Sequence, residues 1–71
     1  MLLTRASEYA LLSIDKIRKS DKPIGAEQLA NELNTPKSFL AKILQGLARE
    51  NILESKKGAY GGFILSKKLD E

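Results

Sequence analysis

The 71-residue chain contains no cysteine and no histidine. The first absence excludes disulfides, thiol chemistry and iron–sulfur ligation by this chain. The second removes the usual acid–base side chain and, together with the first, the usual zinc sites. Six serines are present, but none has an obvious base to activate it. The carboxylates are scattered and suggest no paired apolar pocket, so no catalytic grouping emerges. Apolar runs are too short for a transmembrane helix. Met1-Leu2-Leu3-Thr4-Arg5 lacks the charged-then-apolar layout of a signal peptide, which points to a cytoplasmic protein. The stacked aromatics used in single-strand RNA recognition are missing as well.

What is present is an ordinary globular balance, 42% hydrophobic and 30% charged. The length suits one domain, residues 1–71, with a small core. The net charge of +3 is unevenly spread. Residues 1–34 hold five cations and five carboxylates, whereas residues 35–69 hold seven cations against only Glu50 and Glu54. A basic second half favours a polyanionic partner.

Leu3, Ala6, Ala10, Ile14 and Ile17 recur at spacings of three and four, predicting one face of a helix over about residues 4–19. Thr4 is its expected cap, and Pro23 follows its end. Tyr9 and Leu12 fall off that stripe and form a candidate partner or dimer surface. Ile24 reads as a very short strand or an apolar anchor. A second helix over about 26–33 places Leu29, Ala30 and Leu33 inward, and Asn34 is a plausible left-handed stop. Thr35-Pro36 predicts the start of a third helix over about 36–50, with Thr35 capping and Pro36 at the first helical position. Pro36, Phe39, Leu40, Ile43 and Leu47 form its inward stripe. Gly46 beside that stripe suggests close packing, since Gly mid-helix costs about 1 kcal/mol relative to Ala. Asn51 is a second candidate left-handed cap.

Two apolar runs, Ile52-Leu53-Glu54-Ser55-Lys56 and Phe63-Ile64-Leu65, bracket a loop rich in glycine and predict a hairpin over about 52–66. The order of elements is helix, short strand, helix, tight connection, helix, hairpin. That order is mainly α with a small β-hairpin, a winged helix-turn-helix.

Two groups of residues carry function in this reading. At 100° per residue, Ser38, Lys42, Gln45 and Arg49 share a band about 60° wide, opposite the third helix's apolar stripe. The band has two cations, two neutral hydrogen-bonding groups and no carboxylate. Lys can donate to guanine, Gln can read adenine, and Ser can reach a base or a phosphate. Ser38, Lys42 and Gln45 are therefore the candidates for base readout, and Lys37 and Arg49 for phosphates. The second group is the wing. Lys56 and Lys57 lead into Gly58, Tyr60 and the Gly61-Gly62 pair, a loop whose glycines permit a tight tip and close approach to a phosphate. The spacing is not that of a nucleotide-binding loop.

These segments resemble the DNA-binding domain of Rrf2-type bacterial transcription regulators, which include iron–sulfur and nitric-oxide sensors. The resemblance is carried by Leu3-Thr4 with Glu8-Tyr9-Ala10, then Gln28-Leu29-Ala30, then Ser38-Phe39-Leu40 with Ile43-Leu44 and Leu47. Its most specific part is Ile52-Leu53-Glu54-Ser55 running into Gly58-Ala59-Tyr60-Gly61-Gly62-Phe63-Ile64-Leu65. It implies a dimeric regulator with the third helix in the major groove and the glycine wing near the minor groove; a repressor is the expected kind. It also implies a long C-terminal dimerisation helix and, in many members, three cysteines that hold a cluster. Neither occurs within these 71 residues. The expectation is a sequence-specific domain for double-stranded DNA, not an enzyme, with no metal or cofactor of its own. A cluster would require cysteines from a longer chain. Homodimerisation is expected of a full-length form and is weak or absent here. A protein-interaction winged helix without DNA readout is the rival reading.

Overall fold

The computed structural model describes residues 4–66. Helix α1 spans Arg5–Lys19, α2 Ala26–Glu32 and α3 Lys37–Arg49. Strands β1 (Leu53–Lys56) and β2 (Gly62–Leu65) pair antiparallel, with Leu53 opposite Leu65 and Lys56 opposite Gly62. Ile24 adds one residue to the outer edge of β2: its N–H donates to the Phe63 carbonyl at 3.2 Å and its carbonyl accepts from Phe63 at 2.8 Å. It is both short strand and anchor, because its side chain also enters the core.

Helix α1 starts as expected, with the Ser7 N–H donating to Thr4 Oγ1 at 3.1 Å. Its inward face differs from the sequence stripe. Leu3 lies outside the described residues, and Ala6 is exposed because the first turn extends past the core. The packed face instead follows Tyr9, Ser13 and Ile17, spaced by four, with Ile14 only half-buried. Tyr9 is drawn inward by Phe39 of α3, the two rings meeting edge to face at 5.5 Å.

Helices α2 and α3 both end in a Schellman arrangement. Asn34 (φ 55°) and Asn51 (φ 65°) take the left-handed conformation expected of them. Thr35 N–H then reaches back to the Ala30 carbonyl at 3.0 Å, and Ile52 N–H to the Leu47 carbonyl at 2.9 Å. Thr35 therefore serves the end of α2 and does not cap α3. Pro36 occupies the cap position of α3, and no side chain bonds there.

The core comprises Ile17, Ile24, Leu29, Ala30, Leu40, Leu44 and Leu53. Leu44 lies outside the sequence stripe, and Pro36, placed within it, is exposed. Helix α3 touches α1, α2 and β1, so its buried sector is wider than one stripe and centres on Leu40 and Leu44. Gly46 has no packing role: a methyl group built there meets nothing within 4 Å.

Candidate nucleic-acid interface

The α3 band is formed as the spacing required. Ser38, Lys42, Gln45 and Arg49 lie on the side of the helix away from Leu40 and Leu44; Ser38, Lys42, Gln45 and Arg49 are all exposed to solvent. Ala41 and Ala48 border the band, half-buried and too small to obstruct a surface approaching the helix. Lys37 is exposed at the first residue of α3. That first turn has no acidic residue and no capping side chain, so the positive end of the helix dipole is uncompensated.

The wing places Lys56 at the end of β1 and Lys57 at the tip, both exposed. Tyr60 is 91% exposed. Gly58 has φ 113° and Gly62 φ 156°. At Gly62 a side chain would press on the Ile24 carbonyl carbon, and at Gly61 it would collide with the Lys56 carbonyl oxygen. Gly61 lets the tip close on its own backbone, and Gly62 lets β2 lie directly against Ile24, which fixes the wing to the body.

Charge pairing divides the molecule. In the second half of α1 the three cations are engaged: Lys16 with Glu32 of α2 at 3.2 Å, Arg18 with Asp15 at 2.7 Å and Lys19 with Asp15 at 3.0 Å; Arg5, at the start of α1, makes no ion pair among the described residues. Hydrogen bonds from Arg18 and then Lys19 hold the Asp15 carboxyl below its ordinary range. The amide of Gln28, followed by the ammonium of Lys16, does the same for Glu32. Lys37, Lys42, Arg49, Lys56 and Lys57 make no ion pair among the described residues. The positive charge of α3 and the wing is left available to an outside anion.

The expected apolar surface on α1 requires correction. Tyr9 packs on the core and is not part of it. Leu12 is exposed at 49%, and its companion is Leu11, at 56%, which the spacing argument does not single out. The two leucines flank Glu8 and Asp15 on the outer side of α1, bordering a shallow depression of about 420 Å³. Leu11 follows from the same helical wheel as Leu12, once Tyr9 turns the inward face.

The family model for Rrf2, an iron-dependent transcriptional regulator, matches residues 3–71. The chain belongs to the Rrf2 family. Its whole length is 31% identical to a candidate HTH-type transcriptional regulator of Aquifex aeolicus (strain VF5), covering 50% of that protein. The crystal structure of a candidate transcriptional regulator from Listeria innocua matches at TM-score 0.83 and 28% identity, over 93% of this chain and 47% of that one. CymR, the global cysteine regulator of B. subtilis, shares the fold at TM-score 0.79 and 22% identity, over 92% of this chain and 52% of CymR. The Rrf2 chain thus spans about half the length of the relatives it matches. It is a transcription-regulator domain of winged-helix type, not an enzyme.

Iron appears in the family's description, and the residues present do not fit it. The chain has neither Cys nor His, and among the described residues no three His, Cys, Asp or Glu come together as a metal site. Among those residues, too, no helix is long and apolar enough to cross a membrane.

Proposed function

We propose that this Rrf2 domain binds double-stranded DNA sequence-specifically, as part of a bacterial repressor working in the cytoplasm. The carrying observation is the distribution of charge: Lys16, Arg18 and Lys19 of α1 are paired internally, whereas every cation of α3 and the wing is without an ion pair among the described residues. In this reading α3 lies in the major groove, where Ser38, Lys42 and Gln45 meet base edges. Lys37 and Arg49 meet phosphates. The wing, with Lys56, Lys57 and Tyr60, lies near the minor groove and adds affinity with little sequence content, while Gly58, Gly61 and Gly62 shape its tip. Leu12, with Leu11 beside it, is the surface through which two copies are paired in a longer form. The domain itself holds no cofactor.

Titration with random and selected duplexes at low and high salt tests this reading. Lys42→Ala with Arg49→Ala should weaken binding and lower the salt slope by about one unit for each phosphate that a side chain no longer neutralises. Gln45→Ala should relax sequence preference instead. Unchanged binding by the double variant rejects α3 as the docking element, and binding without salt dependence favours a protein partner.

A further inference from the structure

The wing tip and the link between α1 and α2 are distant in sequence but form the two walls of one cleft. It encloses about 550 Å³ and is lined by Asp21, Lys22, Gly25 and Gln28 on one side and by Tyr60 and Gly61 on the other. The walls are held in place by backbone contacts. Ile24 is paired with Phe63 through two hydrogen bonds, and the absent side chain of Gly62 lets these segments touch. Lys22 is also positioned: the Ser20 hydroxyl accepts from its N–H at 3.2 Å and donates to its carbonyl at 2.8 Å. Its ammonium has no ion pair among the described residues. Gln28 gives one amide N–H to Glu32 and keeps its second N–H and its oxygen. Opposite them, Tyr60 presents nearly its whole ring and hydroxyl to solvent.

We propose that this cleft grips one sugar–phosphate strand of the duplex, with Lys22 on the phosphate and Tyr60 against the sugar. The inference rests on the DNA reading above and extends the contact surface to residues outside α3 and the basic part of the wing. A backbone strand fits this chemistry: a single cation meets a phosphate, the Gln28 amide and Tyr60 hydroxyl can add hydrogen bonds to it, and an aromatic face covers the deoxyribose. Asp21 opposes the anion from the rim, which limits the affinity that the cleft contributes.

Gly25 makes the test clean. It is the cap residue of α2, at φ −78°, with no capping side chain, and a side chain there enters open space. Gly25→Asp therefore supplies a cap while placing a carboxylate in the cleft, and Gly25→Ser supplies a cap without charge. Duplex titration of the 71-residue chain should show Gly25→Asp binding about threefold or more weaker than Gly25→Ser, which adds a side chain at the same place without the charge. Thermal melting should show both at least as stable as the parent. Lys22→Ala should lower the salt slope by about one unit, and Asp21→Asn should tighten binding. If Gly25→Asp binds as Gly25→Ser does, while the Lys42 and Arg49 double variant binds more weakly, the cleft proposal is overturned and the α3 reading stands. If the parent chain binds no duplex at all, both fall together.

Discussion

Ser13 is wholly buried on the inner side of α1, and its hydroxyl has no hydrogen-bond partner. A buried hydroxyl without a partner costs about 1–3 kcal/mol in forfeited hydration. Ser13→Ala removes that group and leaves a better helix former, so it should stabilise the domain by about 1 kcal/mol. Thermal unfolding should rise by about 4–8 °C for a domain of this size. A fall in melting temperature would mean that the hydroxyl has a partner after all. Nothing in the sequence marks Ser13 as inward, because a small polar residue between Leu12 and Ile14 disappears from an apolar stripe. The inward turn of Tyr9 is hidden for a related reason. Its direction is decided by a ring contact with Phe39, far along the chain, and spacing within one helix carries no record of that contact. Asn34 and Asn51 are legible, since the left-handed conformation is a local property that few residues tolerate.

At the scale of elements, α3 carries a conflict between stability and binding. Lys37 sits in a first turn that has no acidic residue, where the helix dipole disfavours a cation. Lys37→Glu should stabilise the free domain by about 0.3–1 kcal/mol, and it should weaken duplex binding. Paired melting and titration read the two effects separately, and a variant both less stable and unaltered in binding contradicts the argument. The polar band of α3 is legible because only one exposed sector lies opposite a helix's buried side. The buried side itself is not fully legible: Leu44 is inward because α3 meets three neighbours at once. Likewise the cleft beside the wing joins Lys22 to Tyr60 through a pairing that no local pattern reports.

The contact between α1 and α2 also gives a pH dependence. Lys16 on α1 meets Glu32 on α2, and Asp15 is held by Arg18 and Lys19. Both carboxyls are shifted below their ordinary values of 3.8 and 4.5. A lowered folded value means that the folded state binds the proton less well than the unfolded chain does. The stabilisation is therefore complete above the ordinary values and is lost as pH falls through the lower folded ones. Melting temperature should be flat with respect to these groups near neutrality and drop as pH falls below about 4.5. Glu32→Gln with Asp15→Asn should flatten that acid limb. An equally steep limb in the double variant would place the acid sensitivity on other carboxyls.

At the scale of the whole molecule, one α3 helix per copy sets a limit on recognition. A single helix in the major groove reads a short half-site, and helix-turn-helix proteins commonly reach specificity by pairing two half-sites about one helical turn apart. Pairing requires a surface that the small core does not consume, and α1 provides Leu11 and Leu12, half exposed around Glu8 and Asp15. Two leucines alone are a small apolar area, far below what a stable protein–protein interface buries. The 71-residue chain should therefore sediment as a monomer or a weakly associating species at micromolar concentration and bind DNA feebly. Tethering two copies in tandem should recover affinity by effective concentration, provided that the linker spans the two half-sites. Leu12→Glu should leave the single domain folded, since that side chain is half exposed and outside the core. It should also abolish pairing in a longer form that dimerises through α1. A tight dimer of the 71 residues, unaffected by Leu12→Glu, would place the interface elsewhere on the surface and remove the role given to the leucine pair.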